Sequence, residues 1–194
     1  MKKYIVSLCF ALFTFVLFAQ EESPHLKFKG VPIDGSLNEY VQKMKLAGFT
    51  YLGVEDGIAL LKGDFAGYKN CTVGVSTLKQ KDLVSKIVVI FSDYETWAPL
   101  SNNYYSLKEM LSEKYGKATD VIEKFQGYSE PRDDQSRMVK VWSDQCTFIT
   151  TFETPKGEIQ LSIVHSKSLS GTVILSYIDK INGDIIRKKA IDDL

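Results

Sequence analysis

Few side chains in this chain have the chemistry of a nucleophile or a metal ligand. Cys71 and Cys146 are the cysteines beyond the first twenty residues, and His25 and His165 are the histidines. A thiol–imidazole pair needs the two groups in contact, with a third group orienting the base. Both cysteines fall in strand-like patterns, and His165 is in phase with Ile159, Leu161 and Ile163. That pattern reads as small core hydrophobes and a strand-end histidine. Ser76-Thr77-Leu78-Lys79 has the Ser-x-x-Lys spacing of the serine acyl-enzymes. It ends a predicted strand, whereas that motif opens a helix, and its Ser-Asp-Asn and Lys-Thr-Gly companions are missing. The histidines are isolated, and no Cys-x-x-Cys or His-x-x-x-His spacing is present, so no metal site is expected. Asp179 to Asp184 has the outline of a calcium loop, but Lys180 and Ile181 stand where oxygen ligands are needed. No phosphate-cradling glycine loop occurs, and no cofactor is implied. Paired carboxylates could support glycoside hydrolysis, with Glu123, Glu130, Asp133, Asp134 and Glu153 as candidates.

Aromatic residues point instead to binding. The chain has 11 Phe, 10 Tyr and 2 Trp. Tyr94, Trp97, Tyr104 and Tyr105 gather at the start of a predicted helix, and Tyr128 and Trp142 flank an acidic loop. Such side chains anchor protein partners or stack on sugar rings. Trp97 and Tyr104 also belong to the apolar stripe of that helix, so core packing competes for them. Tyr105, off the stripe, and Tyr128, in the loop, are the better contact residues, and Trp142 is paired with Tyr105 as an anchor of the surface.

These residues must be positioned by a mixed set of elements. Ser36-Leu37-Asn38-Glu39 is a capping box, and Leu37, Tyr40, Val41 and Met44 follow one helical stripe up to Gly48. Extended segments are predicted over 50–54, 58–62, 71–78 and 85–92. A second helix over 99–115 buries Trp97, Leu100, Tyr104, Leu107 and Leu111 and stops at Gly116. Further strands are predicted over 120–126, 138–143, 147–153, 158–166 and 172–178, with 128–136 as an exposed loop. The tail from Gly183 reads as a short helix, with a hairpin on Asn182-Gly183 as the alternative.

The first nineteen residues read as an export signal. Lys2 and Lys3 precede an apolar run from Tyr4 to Phe18, and Ala19 suits the position before a cut. About fifteen apolar residues fall short of the roughly 20 that a membrane span requires. Cys9 lies inside the run, so it does not mark a lipid anchor. No second apolar stretch approaches spanning length. Lys+Arg and Asp+Glu are both 24, and loss of Lys2 and Lys3 leaves a slight acidic excess. That balance argues against a nucleic-acid partner.

Short matches recur at about seventy residues: Ser36-Leu37-Asn38-Glu39 with Ser106-Leu107-Lys108-Glu109, Asn70-Cys71-Thr72-Val73 with Gln145-Cys146-Thr147-Phe148, and 87–91 with 159–163. The expected organisation is a signal (1–19), a leader with an edge strand (20–29), a first helix-plus-sheet unit (30–98) and a second with a tail (99–194). Equivalent cysteines in such repeats could form a disulfide between Cys71 and Cys146, or stay as two buried thiols.

Phe28-Lys29-Gly30-Val31-Pro32-Ile33-Asp34-Gly35-Ser36-Leu37, leading into Lys45-Leu46-Ala47-Gly48-Phe49, resembles the start of uncharacterised exported proteins of Gram-negative gut bacteria. Gly63 to Gly67, Lys114-Tyr115-Gly116 and Leu175 to Asp179 look like later landmarks of such chains. The layout is also similar to the tandem architecture of beta-lactamase inhibitory proteins and to small envelope-assembly modules with a helix pair on a sheet. These resemblances imply an architecture and carry no activity. The fold class expected is α+β, two tandem helix-plus-antiparallel-sheet units with helices on one face of each sheet. The function expected is an exported, non-catalytic module, in the periplasm or outside the cell, that recognises an envelope protein or glycan through a preformed sheet and loop surface. The alternatives are a carboxylate-dependent hydrolase and a structural envelope-assembly protein.

Overall fold

The computed structural model describes residues 23–78, 82–127, 130–167 and 169–192. The predicted signal, residues 1–19, lies outside the described residues. The chain begins with a small hairpin, β1 (Lys27–Phe28) and β2 (Val31–Pro32). Its turn residues Lys29 and Gly30 have φ of 50° and 81°, the left-handed pair that a two-residue type I′ hairpin requires. Helix α1 (Leu37–Leu46) starts where its capping box dictates. Glu39 N–H donates to Ser36 Oγ at 3.3 Å, and Ser36 N–H donates to Glu39 Oε2 at 3.2 Å.

Four strands follow: β3 (Thr50–Glu55), β4 (Ile58–Phe65), β5 (Tyr68–Leu78) and β6 (Leu83–Ile90). Then come α2 (Trp97–Tyr115), β7 (Asp120–Phe125), α3 (Asp134–Trp142), β8 (Cys146–Thr154), β9 (Gly157–His165), β10 (Gly171–Asp179) and α4 (Lys180–Asp192). The eight strands β3 to β10 form one antiparallel sheet in the order β3-β4-β5-β6-β10-β9-β8-β7. Thus the first four run inward from one edge, and the last four run inward from the other. They meet at β6 and β10, where Ile87 pairs with Tyr177 and Val89 with Leu175.

Alternation along each strand sorts the side chains to two faces. One face carries Ala59, Leu61, Val73, Val75, Ile87, Val89, Leu175, Tyr177, Ile159, Leu161, Phe148 and Phe152, all buried. Against it lie Tyr40, Val41 and Met44 of α1, Leu100, Tyr104, Leu107 and Leu111 of α2, and Met138 and Val141 of α3, in one continuous core. The β1–β2 hairpin adds Phe28, whose ring packs on Phe65 and Tyr177 at 5.1 and 5.4 Å. Close approach is set by Gly171. A Cβ there would lie 2.7 Å from Leu100 Cδ2 and 2.9 Å from Val141 Cγ1, so α2 and α3 reach β10 because residue 171 has no side chain.

All eight strands join one sheet, and elsewhere the structure departs from the sequence reading. The stretch expected as an extended segment over 138–143 is helical, the second half of α3. Asp133 caps that helix: Ser136 N–H donates to Asp133 Oδ1 at 2.7 Å, and Asp133 N–H donates to Ser136 Oγ at 3.2 Å. The tail is a helix, as first read, but it starts three residues earlier at Lys180 and runs through Asn182-Gly183, in place of the alternative hairpin. The short matched stretches fall on different places: Ser36 caps α1 whereas Ser106 lies inside α2, and Cys71 is on the third strand from one edge whereas Cys146 is on the second from the other. Both thiols are free. Four strand steps separate β5 from β8, roughly 19 Å at about 4.8 Å per step. A disulfide needs Cα atoms within about 7 Å, so the intramolecular Cys71–Cys146 pairing is ruled out by topology.

Candidate functional site: the bare face of the sheet

The aromatic candidates sit on the helix side of the sheet. Trp97 is buried, with Phe125 and Phe148 edge-on at 5.1 and 5.2 Å. Tyr104 is fully buried, and its hydroxyl lies 2.5 Å from Thr150 Oγ1. Both are core residues, and that removes them from the contact candidates. Trp142 ends α3, half-buried against the core. Tyr105 is 45% exposed on α2, edge-on to Tyr104 at 5.3 Å and with Lys108 Nζ 6.0 Å from its ring centre. Tyr128 lies outside the described residues. The structure therefore leaves Tyr105 as an exposed aromatic contact and gathers no aromatic cluster around it.

The carboxylates are engaged or dispersed. Glu123 of β7 is 2.6 Å from Lys108 Nζ. Asp133 caps α3, which holds its carboxyl below the usual range through the Ser136 N–H and hydroxyl. Asp134 pairs with Arg137 at 3.3 Å. Glu130 is exposed on the loop before α3. Glu153 stands directly opposite Glu158 across β8 and β9, at the rim of an open cleft of about 460 Å³ shared with Lys180 and Asp184. No acid–base pair facing across a shaped cavity emerges from these contacts. Among the described residues no group of three or more His, Cys, Asp or Glu is placed to hold a metal ion.

The thiols are unsuited to attack. Burial pushes Cys146 up to about 12 and raises Cys71 as well, the reverse of the lowered value that a reactive thiolate requires. His165 closes β9, its Nδ1 4.0 Å from Asp144 Oδ1.

What remains is the other face of the sheet. One row of neighbours across the strands is Leu60, Gly74, Val88, Ser176, Gln160 and Thr151. The next is Lys62, Thr72, Ile90, Ile174, Ser162, Ile149 and Ile122. Neighbours in such a row have Cβ atoms about 5 Å apart. Most of these side chains are partly exposed, whereas Gly74 and Ser176 are buried by their neighbours. Helices α1, α2 and α3 bury their apolar stripes on the opposite face. The centre of the bare face is aliphatic with small residues between, and its margins carry Lys62, Lys86, Lys124, Asp120, Glu153 and Glu158. All strand aromatics of the described residues point to the helix side or an edge, and none joins these rows. The sequence reading expected a preformed sheet and loop surface but named none of these residues, because strand order decides which half-polar faces become neighbours.

Compared with protein-family models, curated proteins and solved structures, the chain gives no match. Among the described residues no helix is long and apolar enough to cross a membrane.

Proposed function

We propose that this protein is a non-catalytic binding module whose recognition surface is the bare face of its eight-stranded sheet. The observation that carries the reading is the two adjoining rows of side chains that cross β4 to β8 on the face opposite α1, α2 and α3. An aliphatic centre with a charged rim is the anatomy of a protein-recognition patch. A sugar-binding face would offer aromatic platforms, and these rows have none, so of the two partner classes the surface favours a protein. Rigidity supports the same reading. The rows are held by an unbroken ladder of strands over a close-packed core, so little ordering cost attends binding.

In this reading the chain is exported through its N-terminal signal and works in the bacterial envelope, in the periplasm or outside. Its sheet is built from two tandem units, α1 with β3–β6 and α2 with β7–β10, joined along β6 and β10. The joint between them brings Val88 beside Ser176 and Ile90 beside Ile174, so the middle of the patch exists only when both units are present.

The test is affinity capture from detergent-solubilised envelope of the source organism, with the wild type, Val88→Lys and Tyr105→Ala compared. The expected result is a discrete protein retained by the wild type and Tyr105→Ala and lost by Val88→Lys, with all three equally folded by circular dichroism. Identical capture by the wild type and Val88→Lys contradicts the assignment of the face.

A further inference from the structure

The two edges of the sheet are managed differently. Edge strand β7 reads Asp-Val-Ile-Glu-Lys-Phe, with charges at Asp120, Glu123 and Lys124, a pattern that discourages further strand pairing. Edge strand β3 reads Thr-Tyr-Leu-Gly-Val-Glu, with a single charge at its end. It also exposes apolar side chains: Tyr51 is 41%, Leu52 57% and Val54 56% accessible. Beside it, α1 and β3 enclose a groove of about 360 Å³ whose apolar lining is Leu37, Val41, Tyr51 and Val54.

We propose that β3 pairs antiparallel with β3 of a second copy of this chain, about a twofold axis between Leu52 and Gly53. In that register Thr50 faces Glu55 of the second copy, Tyr51 faces Val54, and Leu52 faces Gly53. The aromatic–β-branched pair lies on the helix side, where Tyr51 of the second copy fills the groove beside Val54. A register shift between Tyr51 and Gly53 makes Leu52 a bulge residue, and the axis places that bulge against the glycine of the other copy, where there is room for it. Charge selects the same occupant. Thr50 is the neighbour of Lys62 on β4, so Glu55 of the second copy comes to one side of a threonine and Lys62 to the other. Neither Glu55 nor Lys62 has an ion-pair partner within its own chain among the described residues. The twofold makes this contact twice, which is the self-complementarity that an isologous interface demands. The sheet would then continue through sixteen strands, with both bare faces on the same side. This pairing does not depend on the binding role of that face, since β3 and the Val88 row are separate surfaces.

Sedimentation velocity on the purified protein over a roughly hundredfold concentration range tests the pairing. A reversible monomer–dimer equilibrium is expected. Val54→Lys is expected to give monomer throughout and to unfold like the wild type at dilutions where the wild type is itself monomeric, because residue 54 is exposed. Glu55→Lys sets a like charge across Thr50 from Lys62, twice in the dimer, and is expected to weaken the dimer about tenfold or more, and Glu55→Lys combined with Lys62→Glu is expected to restore it. A wild type that is monomeric throughout, a dimer indifferent to Val54→Lys, or a double reversal that recovers nothing each overturns the proposal.

Discussion

Asp179 Oδ2 lies 3.0 Å from His25 Nδ1, across 154 residues of chain. The same carboxylate accepts the Leu26 N–H at 2.7 Å through Oδ1 and the Asn182 N–H at 3.0 Å through Oδ2. Asp179 is fully buried, so its desolvation is offset by these three donors. It ties the leading segment, the end of β10 and the first turn of α4 together, acting as the cap of that helix. Asn182 extends the junction by donating through Nδ2 to Ile33 O, Asp34 Oδ1 and Val84 O. Replacing Asp179 with Ala leaves the Leu26 and Asn182 N–H groups unpaired. Urea unfolding should show a loss of about 2–5 kcal/mol, with His25→Ala losing clearly less because the backbone donors keep their acceptor.

Two buried tyrosines make opposite predictions from the same substitution. Tyr104 shares its hydroxyl with Thr150, both fully buried, and removing that oxygen leaves Thr150 Oγ1 alone. Tyr104→Phe should cost about 1–2 kcal/mol. Tyr40 is also fully buried, but its hydroxyl meets no partner among the described residues. Tyr40→Phe should be neutral or slightly stabilising, since it removes an unsatisfied polar atom at nearly constant shape. Equal losses in the two variants would contradict the hydrogen-bond assignment.

The alkaline limb of stability follows from the buried thiol and phenols. Burial raises Cys146 to about 12 and also raises Cys71, Tyr40, Tyr104 and Tyr177. Unfolded thiols ionise near pH 8.5 and unfolded tyrosines near pH 10. Above those values the unfolded chain has released protons that the native chain still holds, so stability falls with rising pH. The contribution is complete below about pH 8.5 and declines as pH climbs through the native values. Urea midpoints should therefore drop from about pH 9 upward, and Cys146→Ala should flatten the first part of that drop. At pH 8 iodoacetamide should label the native thiols far more slowly than the unfolded ones.

Gly171→Ala tests how tightly the helices press on β10. Its new methyl would meet Leu100 and Val141 at less than 3 Å. Both neighbours are themselves buried, so α2 and α3 must shift. A loss of about 1–3 kcal/mol in thermal or urea unfolding is expected. A variant of unchanged stability would mean that the two helices are not seated on the strand.

Much of this fold is local and was legible in the chain. The α1 capping box forms as read, and the five-residue stripe from Trp97 to Leu111 is buried as its spacing required. Most strands lie within three residues of their expected ends. Helix α3 escaped because its box closes with Ser136 where Glu or Gln is usual, and because Val139, Val141 and Trp142 favour strands. Its capping residue, Asp133, looked like part of an acidic loop. The helical tail was legible, but its start at Lys180 was not, because its cap, Asp179, also ends a strand and is satisfied by Leu26 and His25 from the far end of the chain. The candidate site was the least legible feature. Val88 and Ser176 become neighbours only through the β6–β10 pairing, and a long-range pairing leaves no trace in local periodicity.

The central claim, that the bare sheet face is the recognition surface, is best tested by site-specific photocrosslinking in the source cells. A photoreactive side chain would replace Val88 or Ser162 on the bare face, or Glu113 on the exposed side of α2. The account predicts a discrete crosslinked protein of the same size from both sheet positions and none from Glu113. Crosslinks from Glu113 alone, or from all three positions alike, would contradict it.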